Sequence, residues 1–179
     1  MSTTISEPPA RRLTRKHRSR PAGIHFSRLT RIARWFGAGF QPTSHPELAE
    51  GTLLNRNQRC KAVLSYDPVF TTVRLVVRVA HTRRRDRQLE SILSNLEAGA
   101  EYGRFDPDLD AGKQVTLSAS TKSLKDGDVA DRVVAAMFQE VIQLVWDPRL
   151  HEALNAAGAS LCIDRADPWT DISINKARK

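Results

Sequence analysis

The alternation of apolar and polar positions is strictest between Val69 and Ala80, where Val73, Leu75, Val77 and Val79 fall on one face and Thr72, Arg74, Val76 and Arg78 on the other. A period of two with β-branched enrichment predicts a strand buried on one side. Cys60 to Tyr66 alternates in the same way ahead of an Asp67-Pro68 turn, which predicts a second strand. Spacing of three and four residues predicts helices. Phe26, Leu29, Ile32, Ala33 and Phe36 place one over 24–36, closed by Gly37 and Gly39. Leu89, Ile92, Leu93 and Leu96 place another, running through Asp86 to about Ala100, with Thr82 as its N-cap. The stretch between these outer elements, residues 41–58, carries Pro42, Pro46, Gly51 and Asn55 and reads as a linker with at most a short strand at Thr52-Leu53-Leu54.

Further along, Tyr102 to Asp106 and Lys113 to Thr121 predict an antiparallel pair joined by an Asp- and Gly-rich turn. The longest helix follows, from Asp128 to Trp146. Its polar stripe is narrow (Asp128, Arg132, Gln139, Gln143), while Val129, Val133, Val134, Met137, Phe138, Val141, Ile142, Leu144 and Val145 cover the rest. A helix apolar over so much of its circumference is buried on more than one side, by the sheet or by another subunit. Asp147-Pro148 then supplies an N-cap and a proline at the first position of a helix through Leu150 and Leu154 to Gly158. A short strand is expected at Leu161-Cys162-Ile163 within a polar tail. The organisation expected is an arm over 1–23, an amphipathic helix and linker over 24–58, a folded domain over 59–158 and a tail over 159–179.

Charge changes this picture at one end only. The formal net charge is +8, and up to Arg59 there are eleven Lys/Arg against three acids, with the two signs balanced in the remainder. Residues 1–23, rich in Ser, Thr, Pro and Arg, are expected to be a disordered arm, with Arg11, Arg12, Arg15, Lys16, Arg18 and Arg20 as a polyanion-binding block. Such a block can bind nucleic acid by counterion release without any fold. No base-stacking aromatic lies in it, and no helix-turn-helix or RNA-binding signature follows. The 24–36 helix, with Trp35 and three arginines, could alternatively lie on an anionic membrane surface. A second cationic cluster, Arg83, Arg84, Arg85 and Arg87, opens the central helix, an end that disfavours cations; solvation with partial pairing to Asp86 and Glu90, or an acidic partner, would offset it.

Candidate chemistry is sparse. Asp106, Asp108 and Asp110 resemble the start of a calcium loop, yet Ala111 and Leu117 stand where that loop needs Gly and Glu, so a hairpin turn is expected and no metal. Asp126, Asp128 and Asp131 read as acids favourably placed on a helix N-terminus. The five histidines have no metal spacing, Cys60 and Cys162 read as reduced thiols, and no nucleophile motif or phosphate loop occurs. No apolar run approaches the roughly 20 residues that span a bilayer, and a cytoplasmic location is the default.

Over residues 60–154 the chain resembles the YbjN-type domain, a family described as candidate sensory transduction regulators and related in fold to type III secretion chaperones. The resemblance is carried by Leu75 to Val79 (LVVRV), His81 with the Arg-rich helix entry, Leu89 to Leu96, Tyr102-Gly103-Arg104-Phe105 with its acidic turn and Gly112, and Asp147-Pro148-Arg149-Leu150. The family's asparagine near the end of the central helix has Asn95 as its nearest position, and no counterpart of the family's first strands is visible upstream of Cys60. The resemblance implies an α+β fold, type III secretion chaperone-like, with an antiparallel sheet packed by helices. It also implies a binding module without catalytic residues, since related chaperones bind extended segments of partner proteins and often dimerise. The resulting expectation is a non-enzymatic, cofactor-free regulatory module that binds an unidentified protein partner, or a second copy as a homodimer. The surface expected to do so is Val133, Met137, Phe138, Val141 and Val145, with the arginines at 83–87 steering acidic partners. The alternative is a nucleic-acid-associated protein acting through residues 1–23.

Overall fold

In the computed structural model, which describes residues 26–82, 86–108, 114–122, 124 and 127–165, the strand predicted from strict alternation sits at the centre of an antiparallel sheet. Helix α1 (Phe26–Trp35) leads into β1 (Gly39–Pro42), β2 (Leu48–Asn55), β3 (Gln58–Asp67) and β4 (Thr72–His81). Then come α2 (Arg87–Ala98), β5 (Gly103–Asp108), β6 (Gln114–Ser120), α3 (Gly127–Val145), α4 (Pro148–Ala156), β7 (Ser160–Leu161) and β8 (Ile163–Arg165). The strand order is β1-β2-β3-β4-β6-β5, with β7 on β4 and β8 on β3. This is an α+β fold with an antiparallel sheet packed by helices.

The core lies on one face of the sheet. Val73, Leu75, Val77 and Val79 of β4, Ala62 and Leu64 of β3, and Val115 and Leu117 of β6 are fully or almost fully buried there, together with Leu29 and Ile32 of α1, Leu89 of α2 and Leu150 of α4. Helix α1 packs on α3 and β1, and α2 on α4 and β5. Arg28 ties α1 to Asp131 of α3 at 2.7 Å. The first helix is therefore built into the same core.

Residues 41–58 depart most from the sequence reading. They are not a linker: β2 pairs with β3 over its full length, from Leu48↔Ser65 to Asn55↔Gln58, and β1 pairs with β2. Prolines at 42 and 46 mark the end of β1 and its turn, and Gly51 is required inside β2 because a Cβ there would meet the Gly39 carbonyl oxygen at 2.0 Å. The punctuation that suggested a loop is that of an edge hairpin. The N-cap of α2 also moves: Asp86, and not Thr82, accepts the N–H groups of Gln88 and Leu89, while Thr82 is buried. Asp147 caps α4 as expected, with Pro148 in the first turn.

At one end β3 and β4 part beyond the Ala62↔Val77 pair, and the C-terminal segment enters the fork. Ser160 and Leu161 pair with β4, Ile163 to Arg165 pair with β3, and Cys162 at the bend donates its N–H to the Val79 carbonyl at 2.8 Å.

Candidate binding surface

Of the apolar side chains expected to receive a partner, Met137, Phe138, Val141 and Val145 are fully buried within the chain itself. The physical reason is coverage from two directions. Strands β5 and β6 and helix α1 all pack on α3, and the Phe138 ring stacks on Phe36 with centroids 6.0 Å apart and meets Phe40 edge-on at 6.2 Å. Those four residues are core, which corrects their assignment to a partner surface and removes the apolar excess that argued for dimerisation through α3. Val133 is half-buried beside Tyr102, Thr121 and Lys122.

Of the cationic candidates, Arg87 is exposed in the first turn of α2. Arg83, Arg84 and Arg85 lie outside the described residues, as do Arg11, Arg12, Arg15, Lys16, Arg18 and Arg20. Asp106 is exposed on β5, and Asp110 lies outside the described residues. Among the described residues no group of His, Cys, Asp or Glu is arranged to hold a metal ion.

The outer edge of the sheet is closed to strand addition along β5. The Gly103 N–H donates to Glu140 of α3 at 2.7 Å, and the Phe105 N–H donates to Glu97 of α2. The next residue of that parity, Pro107, has no N–H. An edge strand whose donors are taken by carboxylates or absent cannot template another chain.

What remains open is the face of the sheet opposite the core. Its side chains are exposed or half-buried, and the register sets them in rows. Thr52 faces Lys61 across β2 and β3, and Arg78 faces Thr116 across β4 and β6. In the next row Glu50, Val63, Val76, Ser118 and Arg104 run from β2 to β5. In the third, Ser65, Arg74 and Ser120 follow one another, and the Arg74 Nε donates to the Ser118 hydroxyl at 3.0 Å. Lys61, Arg74, Arg78 and Arg104 are exposed, against the exposed acids Glu50 and Asp106. A depression of about 500 Å³ lies on this face, bordered by Lys61, Val63, Val76, Arg78 and Thr116. The sequence alone does not single out this surface, although part of its signal is local: the outer positions of β3, β4 and β5 carry Lys61, Arg74, Arg78 and Arg104.

Elsewhere, Cys60 is buried and its thiol donates to the Arg78 carbonyl. Burial pushes that thiol up to about 12, with Cys162 and Asp164 adding to the effect. Cys162, at the bend in the fork, is half-buried and also raised, chiefly by burial. Both cysteines are free.

Fold and surface together define an α+β sheet protein with helices on one face and a cation-bearing face opposite. No protein-family profile matches the chain, and no curated protein matches it. Among solved structures it is similar to YbjN from E. coli, described as a candidate transcription regulator. The identity is 15%, the TM-score is 0.46, and the match covers 79% of this chain and 99% of that one. Among the described residues no helix is long and apolar enough to cross a membrane.

Proposed function

We propose that the chain is a non-enzymatic, regulatory protein-binding module that holds an acidic partner on the outer face of its sheet. The observation that carries this reading is the register of β3 and β4. It pairs Val63 with Val76 and brackets that apolar centre with Lys61 and Arg78 on one side and Arg74 on the other. An apolar centre with a charged rim is the anatomy of a protein-recognition patch, and the cations select acidic partners and speed their encounter. Among the described residues, the buried face of α3 and the engaged donors of β5 are less open to a partner than this face. A relation to type III secretion chaperones, with a partner segment laid on the sheet, belongs to the same proposal.

Affinity capture from the native cell tests it, using the full chain and a Lys61→Glu/Arg78→Glu variant. Proteins retained by the wild type and lost by the variant support the reading, and an unchanged set of proteins contradicts it. The second reading, a nucleic-acid-associated protein acting through residues 1–23, draws on the block of cations at Arg11, Arg12, Arg15, Lys16, Arg18 and Arg20. It predicts affinity that falls linearly with salt on a logarithmic scale and that depends on residues 1–23.

A further inference from the structure

The turn joining β3 to β4 combines two features that rarely coincide. Its tip is apolar and bare: Val69 is 77% exposed and Phe70 68% exposed, with the exposed Pro68 beside them. The residue that follows, Thr71, has φ 52, a left-handed conformation that is an outlier for a β-branched residue. Such strain persists only where the surroundings enforce it, and it clusters at functional positions.

The enforcement is visible. The Asp67 carboxylate accepts the N–H groups of Val69 at 2.8 Å and Phe70 at 3.0 Å. The Thr71 hydroxyl donates to the Phe70 carbonyl at 2.7 Å, and the Leu124 N–H donates to the Thr71 carbonyl at 2.8 Å. Behind the turn, Val73 and Thr121 exchange two hydrogen bonds, at 2.9 Å and 3.0 Å. The tip is thus a stiff knob that needs no ordering before it inserts.

The apolar area is confined to the tip. Around it stand Ser65, Thr72, Arg74 and Lys122, polar or cationic side chains. The carboxylate of the turn itself, Asp67, is engaged by backbone donors. Glu47 sits one strand away, its carbonyl accepting the Tyr66 N–H. Among the described residues, the exposed charges adjoining the turn on β4 and after β6 are the cations Arg74 and Lys122, and across the neck of the turn Glu47 is an exposed acid. An apolar tip with cations set back from it matches shallow insertion, with side chains at the acyl boundary and charges among anionic headgroups.

We propose that the Pro68-Val69-Phe70 tip is an anchor for an anionic lipid surface. The site lies at the turn beyond the outer sheet face, with which it shares Arg74, and its apolar part, Val69 and Phe70, is separate from that face. Contact would be reversible, because two side chains make a small apolar area and the electrostatic part is screened by salt.

Co-sedimentation with vesicles tests it, using the full chain and vesicles of neutral phosphatidylcholine with or without about one-third phosphatidylserine, a content sufficient for a negative surface potential. Wild-type protein is expected to partition onto the anionic vesicles. Val69→Ser/Phe70→Ser should lower the partition coefficient about tenfold or more with its thermal midpoint unchanged, Phe70→Leu should restore most of it, and Trp35→Ser should leave it intact. Absence of binding to either vesicle overturns the proposal. So does anionic binding that survives the tip substitution, which would assign the contact to other cations. If a purified protein partner bound the tip in a Phe70-dependent way while vesicles did not, the knob would belong in a protein pocket and the lipid assignment would be wrong.

Discussion

Glu140 of α3 accepts the backbone N–H of Gly103 at 2.7 Å, and the same oxygen takes the N–H of Tyr102 at 2.9 Å. Its second oxygen takes the Glu101 N–H at 2.7 Å. One side chain therefore holds the start of β5 and occupies a donor on the sheet edge. Glu97 does the same at Phe105. Closure of the edge and attachment of α3 to the sheet are one device.

Removing that device has two readable consequences. Glu140→Ala leaves three backbone donors without a partner, and the half-buried ones cannot be fully rehydrated, so a loss of about 2–4 kcal/mol is expected in urea unfolding. Glu97→Ala/Glu140→Ala also frees the edge donors. Light scattering over a range of concentrations should then show association beyond that of the wild type. A double variant as stable and as dispersed as the wild type would show that neither carboxylate matters.

Asp147 gives a prediction about pH. Its carboxyl is held below the usual range, first by the hydrogen bond from the Arg149 side chain and further by the backbone N–H groups it caps. A carboxyl whose folded pKa is depressed contributes stability above its unfolded pKa and loses it as pH falls through the folded one. Asp147→Ala should therefore cost about 1 kcal/mol at neutral pH, the usual value of an N-cap. The gap between variant and wild type should close in acid, measured as the difference between their urea midpoints at each pH.

Cys60 gives one of opposite sign. Its thiol, pushed up to about 12 by burial, stays protonated in the fold while the unfolded chain ionises at about 8.5. Its stabilising effect is complete below that unfolded value and is lost as pH rises through the folded one. Thermal midpoints should fall on the alkaline side, and less so for Cys60→Ala after allowance for the lost packing. In native protein a thiol reagent at pH 8 should label Cys162 well ahead of Cys60; equal rates would contradict the burial.

How much of this was legible depends on the range of the forces involved. The β4 alternation, the α2 stripe and the Asp147-Pro148 start of α4 are local signals and stand close to where the sequence put them. The first two strands were not legible, because Pro42, Pro46 and Gly51 read locally as loop while their pairing with β3 is a property of the sheet. Gly103 is similar. It sits in a noticeable motif, yet its requirement comes from α3, since a Cβ there would meet Leu144 at 2.8 Å and Leu117 at 3.2 Å. The apolar girth of α3 is a local signal too, and it implies burial on more than one side. What covers it, α1 and the rings of Phe36 and Phe40, could be assigned only once tertiary contacts were known. The outer face was legible only in part: alternation alone puts Arg74 and Arg78 on one face of β4, whereas Lys61 and Arg104 join them only through the register of β3, β6 and β5.

In the proposed mode of action the partner lies on that outer face. Methyl NMR of the full chain, titrated with a partner protein recovered by capture, reports on it directly. Shifts at Val63 and Val76 that vanish in Lys61→Glu/Arg78→Glu, with the core methyls of Val73 and Val77 unmoved, are the predicted result. Saturable binding that leaves Val63 and Val76 unshifted, or that perturbs instead the buried methyls of Met137 and Val141, would contradict it.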